Sequence, residues 1–179
     1  MPSFEILILV LGLILVGSLI GSLLAFVLRL RDLFRHDAPL PSKRGAKRGP
    51  PIFVDGSNVM HWGGDGPSEV PLRLVLSKLQ ENGFSPVVWF DANVGYKLQN
   101  RHMGPRELAR MLPVRAEMIH LAPSGQPADP LVIEAALAEK ARLVSNDRFM
   151  DWRAQYPGLR AKGVLVKGSV KGTKVELTL

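Results

Sequence analysis

The sequence contains no cysteine, and this absence excludes two kinds of structure. Without thiols the chain forms no disulfides and no thiolate zinc site, so disulfide-stapled scaffolds and cysteine-ligated zinc fingers are ruled out. The four histidines show no spacing typical of metal ligands. No GxxxxGK[ST] segment occurs, which argues against a P-loop nucleotide enzyme.

Charged residues are absent over a long N-terminal run. Ile6 to Leu28 is 23 consecutive residues without Asp, Glu, Lys or Arg. As a helix it would span about 35 Å, enough to cross a hydrocarbon core of roughly 30 Å. A cleaved secretory signal is disfavoured, because the only charged residue before the run is Glu5 and the run is too long. Residues 1–28 are therefore predicted to be a retained transmembrane anchor.

The segment after this run is strongly basic. Residues 29–48 hold seven Lys or Arg and two Asp, and account for +5 of the +7 net charge. Basic residues beside a span resist translocation, so we expect the N-terminus outside and the rest of the chain in the cytoplasm. Residues 29–50 read as a juxtamembrane linker that attracts anionic membrane lipid. Within the span, Gly17 and Gly21 form a GxxxG pattern that favours a homodimer.

Alternating apolar runs and amphipathic segments predict an α/β domain over residues 51–179. Strands are expected at 52–55, 86–91, 114–121, 141–145, 164–166 and 174–179. Helices are expected at 68–82, 105–112, 129–140 and 148–153. This order favours a mainly parallel central sheet with helices on both faces, which is a three-layer arrangement.

Four aspartates fall where ligands bind in such a sheet. Three follow strand ends directly, and the fourth opens the helix after the third strand: Asp55, Asp91, Asp147 and Asp129. The carboxyl ends of parallel strands share one edge, so these acids are expected to gather there. Clustered carboxylates repel one another, and a divalent cation relieves that repulsion. Oxygen ligands without cysteine suit Mg²⁺ or Mn²⁺ better than Zn²⁺.

Each acid also has a purely structural interpretation. Asp55 begins an Asp-Gly-Ser-Asn segment typical of a turn. Asp129 before Pro130 is ordinary helix-start chemistry, and Asp147 is placed to cap a short helix. Taken together these interpretations weaken, because separate turns would each have to place an acid at the same edge.

Three motifs resemble the NYN-type PIN-like ribonucleases, and most closely the endoribonuclease domain of animal CCCH zinc-finger proteins. They are Ile-Phe-Val-Asp-Gly-Ser-Asn-Val at 52–59, Ala-Asp-Pro at 128–130 and Val-Ser-Asn-Asp-Arg-Phe at 144–149. The resemblance covers roughly residues 51–156. It implies a PIN-like fold and a Mg²⁺- or Mn²⁺-dependent endoribonuclease acting on RNA.

By motif position, the resemblance makes Asp55, Asp129 and Asp147 the metal-holding acids, with Asn58 as a polar site residue and Asp151 as a further acid. Asp91 joins the set from its strand-end position alone. The family often has two adjacent acids at the middle motif, where this sequence has Ala128 before Asp129. That departure keeps open a second hypothesis, a catalytically inactive RNA-binding or scaffold module at the membrane.

Basic and aromatic residues near these motifs are candidate RNA contacts. The predicted set is Trp62, Lys97, Arg101, Arg106 and Arg148, with Tyr96, His102, Arg110 and Arg153 as further candidates. For any one of the cations, a solvated helix face is an equally good interpretation. Trp62 stands out because it follows a histidine in a glycine-rich loop.

Overall fold

The computed structural model describes residues Gly49–Leu179. The predicted anchor at 1–28, its GxxxG pattern, and nearly all of the predicted linker lie outside the described residues. Within 49–179, none of the helices has the length and apolar character needed to cross a membrane.

Five strands form one sheet in the order β3-β2-β1-β4-β5, and every pair in it is parallel. The strands are β1 (Pro51–Asp55), β2 (Ser85–Phe90), β3 (Ile119–Leu121), β4 (Arg142–Val144) and β5 (Leu165–Val166). The central strands are short and rich in Val, Ile and Phe, as expected of strands buried on both faces. The predicted parallel α/β architecture is confirmed.

Five helices connect or flank these strands. They are α1 (Gly56–Val59), α2 (Glu69–Glu81), α3 (Val94–Gln99), α4 (Pro105–Met111) and α5 (Asp129–Ala138). Helix α2 begins as predicted, because the Ser68 hydroxyl accepts the Val70 N–H at 3.2 Å. It ends at Glu81, and Gly83 follows with φ of 82°, a conformation that favours glycine.

The side chains of β1 alternate between two hydrophobic clusters on opposite faces of the sheet. Ile52 and Val54 pack with Leu72, Leu76 and other residues of α2 on one face. On the opposite face, Phe53 packs with the α5 residues Val132, Ile133 and Ala136. This alternation makes the sheet the middle of three layers.

The predicted third strand at 114–121 is too long. Only Ile119–Leu121 pairs with β2, and Ala116–Met118 forms a 3-10 turn instead. The Met118 N–H donates to the carbonyl of Arg115 at 2.9 Å, so this backbone closes on itself and leaves the ladder. The predicted helix at 148–153 is likewise reduced to a 3-10 turn at Met150–Trp152.

The C-terminal segment forms a hairpin of its own. Strands β6 (Gly168–Lys171) and β7 (Lys174–Leu177) pair antiparallel in a separate two-stranded sheet. Strand β6 is absent from the predicted elements because it is four residues long and begins at a glycine. Val170 is buried in the same cluster as α2, so the hairpin covers that face of the domain.

Candidate active site

Asp55 is the most buried acid, with 3% of its surface exposed. It ends β1, and one carboxylate oxygen accepts the Asn58 N–H at 3.0 Å, which caps α1. The other oxygen accepts the Ser145 hydroxyl at 2.8 Å. Burial raises the pKa of Asp55 to about 7 and the charges of Asp129 and Asp91 act in the same direction, against these two hydrogen bonds. A carboxylate is therefore held at a position that disfavours its charge.

Asp129 is the first residue of α5 and lies half-buried at the same edge. The residue in the cap position is Ala128, and no side-chain cap hydrogen bond forms. The carboxylate is therefore not used to begin the helix, contrary to its structural interpretation. Burial raises the pKa of Asp129, the charges of Asp147 and Asp91 raise it further, and the Trp152 side chain offsets part of the increase by donating a hydrogen bond.

Asp91 directly follows β2 and bridges to the start of α5. One of its carboxylate oxygens accepts the Ala128 N–H at 3.1 Å, and the other lies 3.5 Å from the Lys97 ammonium. Its own N–H donates to the Ser57 hydroxyl at 2.9 Å. The carboxylate of Asp91 thus lies against the residue that stands where the family often has an additional acid.

Asp147 lies exposed after β4. One carboxylate oxygen accepts the Phe149 N–H at 2.7 Å, and the Asp147 N–H donates to the Ser145 hydroxyl at 3.0 Å. Ser145 is completely buried and therefore links Asp147 to Asp55 through one hydroxyl. We call the four acids Asp55, Asp91, Asp129 and Asp147 the acid rim, because they lie at the carboxyl edge of the sheet and influence one another's charge.

The chemistry of the acid rim fits a divalent cation, but its side chains are not gathered into one coordination group. Within residues 49–179, no three His, Cys, Asp or Glu side chains stand close enough to hold a metal ion together. The acids are nonetheless near enough for their charges to raise the pKa of Asp55 and Asp129, after burial as the largest cause. All the side-chain donors are carboxylate oxygens, the ligand type that Mg²⁺ and Mn²⁺ prefer.

Comparison with known proteins identifies the family of this chain. The family described as the Zc3h12a-like ribonuclease NYN domain matches residues 49–163, which is more than half of the chain. The chain belongs to this family of NYN ribonuclease domains. The resemblance inferred from the three sequence motifs is confirmed.

Two solved structures of Arabidopsis thaliana nuclear protein-only RNase P 2 (PRORP2) share the fold. Their identities to this chain are 18% and 17%, and their TM-scores are 0.57 and 0.53. In both cases the alignment covers 91% of this chain but only 36% of PRORP2. At such identities the likeness shows the fold alone. No curated protein sequence matches the chain.

The side-chain oxygen of Asn58 of the NYN domain lies inside a hydrogen-bond network. Its side-chain oxygen accepts the Trp62 indole N–H at 2.8 Å and the Asn146 N–H at 2.9 Å. The Trp62 ring lies so close to Gly168 that a methyl group there would come within 2.6 Å of it. Asn58 and Trp62 thus connect the first motif to the third motif and to the hairpin, and the predicted stacking surface is partly covered.

Two residues that the sequence analysis did not place in the site belong to its framework. Ser145 carries the hydroxyl between Asp55 and Asp147. Lys167 directly follows β5, and its ammonium donates to the carbonyls of Ser145 at 2.9 Å and Asp147 at 2.6 Å. The rule that located the acids, a polar residue just beyond a parallel strand, would have found Lys167 had it been applied to cations.

The remaining predicted site residues are distributed unevenly. Lys97 and Arg148 lie at the acid rim, the first beside Asp91 and the second after Asp147. Arg101 and Arg106 are exposed on the α3–α4 connection and on α4, where the charge of Arg101 acts on Glu107. Asp151 is exposed on the 3-10 turn and makes no hydrogen bond or ion pair with another residue of 49–179.

Proposed function

We propose that this chain is a metal-dependent endoribonuclease. The observation that carries the proposal is the acid rim, in which four carboxylates from separate segments lie at one sheet edge, and neighbouring acids add to burial in raising the pKa of Asp55 and Asp129. Membership in a ribonuclease family supports RNA as the substrate. The reaction would be hydrolysis: one P–O bond to a sugar oxygen breaks, and a water oxygen takes its place on phosphorus.

Mg²⁺ or Mn²⁺ would be held by Asp55, Asp129 and Asp147, with Asp91 supplying the acid that Ala128 lacks. When bound, the ion would activate water and stabilise negative charge on the phosphate. Asp91 is suited to this substitution because its carboxylate lies against the Ala128 N–H and its charge acts on both Asp55 and Asp129. We include Asp151 only as a residue to test, because nothing in its surroundings ties it to the others.

The other side chains of the site hold the acids in place. Ser145 donates to Asp55 and accepts from the Asp147 N–H, so it fixes the distance between two rim segments. Asn58 joins these segments through its side-chain oxygen and therefore acts as a positioning residue. Lys97 neutralises part of the charge of Asp91. None of these roles requires the side chain to touch RNA.

The decisive experiment measures cleavage of a single-stranded RNA by the full chain in a non-ionic detergent with Mn²⁺. Asp55→Asn and Asp147→Asn should each lower the rate by about 100-fold or more, because each removes a carboxylate from the metal-holding set. Asp65→Asn is the matched control, since Asp65 is exposed in the loop before α2. Cleavage that survives both rim substitutions would reject the proposal.

A second candidate is an inactive RNA-binding or scaffold module. It is favoured by one observation, the buried methyl group of Ala128 at a position where the family often has an acid. RNA binding without cleavage, together with no increase in melting temperature on adding Mn²⁺, would support this candidate. Asp91→Asn discriminates between the two candidates. It should slow cleavage by an enzyme that uses Asp91 as the substitute acid, and it should have no effect on a module without a metal.

For the N-terminal region we propose a single-pass anchor over residues 1–28 and a lipid-facing basic linker over 29–50, with the NYN domain in the cytoplasm. The charge-free run and the seven basic residues after it support this topology. Protease added to intact cells or to sealed right-side-out vesicles should leave the domain uncut. Alkaline extraction should leave the protein in the membrane. Replacing Gly17 and Gly21 by Ile tests the proposed homodimer by crosslinking.

A further inference from the structure

Three basic side chains meet beside Asp147 on the β4–β5 side of the acid rim. Lys167 follows β5, while Arg148 and Arg153 belong to the segment after β4. Burial lowers the pKa of the Lys167 ammonium most, the charge of Asp147 raises it, and the charges of Arg148 and Arg153 lower it. Because such charge effects fall off with distance, the three cations share one neighbourhood.

Backbone carbonyls orient two of these cations. The Lys167 ammonium uses two of its three N–H groups on the carbonyls of Ser145 and Asp147. The Arg153 Nε–H donates to the carbonyl of Arg148 at 2.9 Å, which leaves the N–H groups of its two terminal nitrogens for other acceptors. A solvated surface lysine or arginine has no such constraint, so Lys167 and Arg153 are held more firmly than the cations of a basic face exposed by chance.

None of these cations forms an ion pair with an acid of residues 49–179, although the charge of Asp147 acts on Lys167. The ion pairs within residues 49–179 involve other basic residues, namely Lys78, Lys97, Arg115 and Lys174. Lys97, on the opposite side of the acid rim, forms an ion pair with Asp91. The positive charge on the β4–β5 side is therefore available to an anion from outside the domain.

The backbone of Lys167 is fixed by the C-terminal hairpin. Its N–H donates to the Thr178 hydroxyl at 3.0 Å, and its carbonyl accepts the Thr178 N–H at 2.9 Å. The next residue, Gly168, exchanges two hydrogen bonds with the Asn146 side chain at 2.8 and 3.1 Å. This segment lies beyond residue 163, where the family match ends. The hairpin thus brings to the rim a cation from outside the matched region.

We propose that Lys167, Arg148 and Arg153 form a phosphate subsite, which holds the RNA phosphate adjacent to the one at the acid rim. The inference rests on the proposed function for its substrate, but its test does not depend on cleavage. A phosphate group offers several charged oxygen acceptors, which match the unused N–H groups of an ammonium and a guanidinium. A phosphate bound here would place the neighbouring phosphodiester over Asp147 and the rest of the rim.

The test is RNA affinity as a function of salt, measured by fluorescence anisotropy with the full chain in detergent and EDTA. Each phosphate contact on a single strand contributes about 0.7 to the slope of log affinity against log salt. Arg148→Gln, Arg153→Gln and Lys167→Gln should each reduce the slope, by at most roughly that amount because the three cations share one phosphate. Lys140→Gln is the matched control, because Lys140 is exposed after α5, near the opposite edge of the sheet. It should leave the slope unchanged.

Arg148→Gln is the most informative variant. Lys167→Gln also removes two hydrogen bonds that hold the Ser145–Asp147 segment, so its melting temperature must be compared with that of wild type. The Arg148 side chain makes no hydrogen bond within residues 49–179, so its replacement should leave the fold intact. In cleavage assays, Arg148→Gln should raise KM several-fold and leave kcat nearly unchanged, because it removes binding energy and no reacting group.

Several outcomes would overturn the subsite. A salt slope for Arg148→Gln equal to that of wild type would overturn it. A reduction of the slope equal to that of Lys140→Gln would also overturn it, since an equal reduction reflects net charge alone. Binding of inorganic phosphate that depends on these residues, without any effect on RNA, would assign the site to a free anion. Cleavage that fails while the slopes change as expected would reject the nuclease and retain the subsite.

Discussion

The two sides of the acid rim are held together very differently. On the β1–β4–β5 side, the segments 55–58, 145–147 and 167–168 are joined by side-chain hydrogen bonds of 2.6 to 3.1 Å, many of them between residues far apart in the sequence. On the β2 side, Asp91 has only the Ser57 and Ala128 hydrogen bonds and an ion pair of 3.5 Å with a partly exposed lysine. One side is a network, and the other is a set of single contacts.

This difference indicates that the two sides of the acid rim have different roles. A network whose members each satisfy two partners fixes the positions of Asp55 and Asp147 relative to each other, which a metal site requires. An ion pair that is about one-third exposed contributes little energy and allows Asp91 and Lys97 to adjust. We therefore expect the β1–β4–β5 side to set the geometry of the site and the β2 side to adapt to the proposed ion and RNA. The four predictions below test this comparison.

The largest effect should come from the charge of Asp55. Its pKa is raised to about 7 from 3.8, so its contribution to stability is fully present below pH 3.8 and is lost as the pH rises through 7. In EDTA, Asp55→Asn should therefore be more stable than wild type at about pH 8, by up to roughly 4 kcal/mol, and show little difference near pH 4.

Urea unfolding of both proteins at several pH values measures this effect. Adding Mn²⁺ at about pH 8 should stabilise wild type and not Asp55→Asn, because the ion relieves the cost of the buried charge. A constant difference between the two proteins across the pH range would contradict the assigned shift.

The next effect should come from Asn58. Asn58→Ala leaves the Trp62 indole and the Asn146 N–H without their acceptor, so we expect a loss of about 2 kcal/mol in the free energy of unfolding. Asn93→Ala on the other side is the control, because the Asn93 side chain makes no cap hydrogen bond. It should cost less than about 0.5 kcal/mol. Equal losses from the two variants would remove the distinction between network and single contacts.

A matched pair of serines gives a smaller contrast. Ser145→Ala removes a buried hydroxyl that donates to Asp55 and accepts from Asp147, so we expect a loss of about 1.5 kcal/mol. Ser57→Ala removes only the acceptor of the Asp91 N–H and should cost about 0.5 kcal/mol. Thermal unfolding at one pH compares them. A larger loss for Ser57→Ala would place the rigid side of the rim at β2.

The smallest effect should come from Lys97. Its ion pair with Asp91 is 3.5 Å long, and about a third of each side chain is exposed (35% and 31%). Lys97→Gln should therefore change the free energy of unfolding by no more than about 0.5 kcal/mol. Asp55→Asn in the same buffer provides the scale. A loss of 2 kcal/mol or more would show that this pair is a structural element and not an adjustable contact.

Much of the fold could be predicted from the sequence because its central strands are short, uninterrupted and apolar. The start of α2 at Ser68 and its stop at Gly83 followed from capping chemistry. The length of β3 could not be predicted, since residues 114–118 are compatible with a strand until the tertiary structure offers them no partner. Strand β6 could not be found because its pairing with β7, and not its composition, makes it a strand.

The site was predictable to a similar extent. The acids were found because the carboxyl ends of parallel strands share an edge, a rule that needs only the order of elements. The roles of Asn58 and Trp62 could not be predicted, because the sequence does not show whether a side chain points to substrate or to a neighbouring loop. The Asn58 side chain contacts Trp62, four residues away, and Asn146, 88 residues away.

The sequence by itself determined the parallel α/β core of the fold, the family, and the four acids at one edge. These follow from local apolar patterning, from residue positions at strand ends and from the residue sequence of the motifs. Only the tertiary structure decided which acid is buried, which hydroxyl joins Asp55 to Asp147, and that Lys167, between β5 and the hairpin and beyond the matched region, reaches the rim. The reason is physical: burial and hydrogen-bond partnership depend on residues distant in the chain, whereas periodicity and turn chemistry are encoded locally.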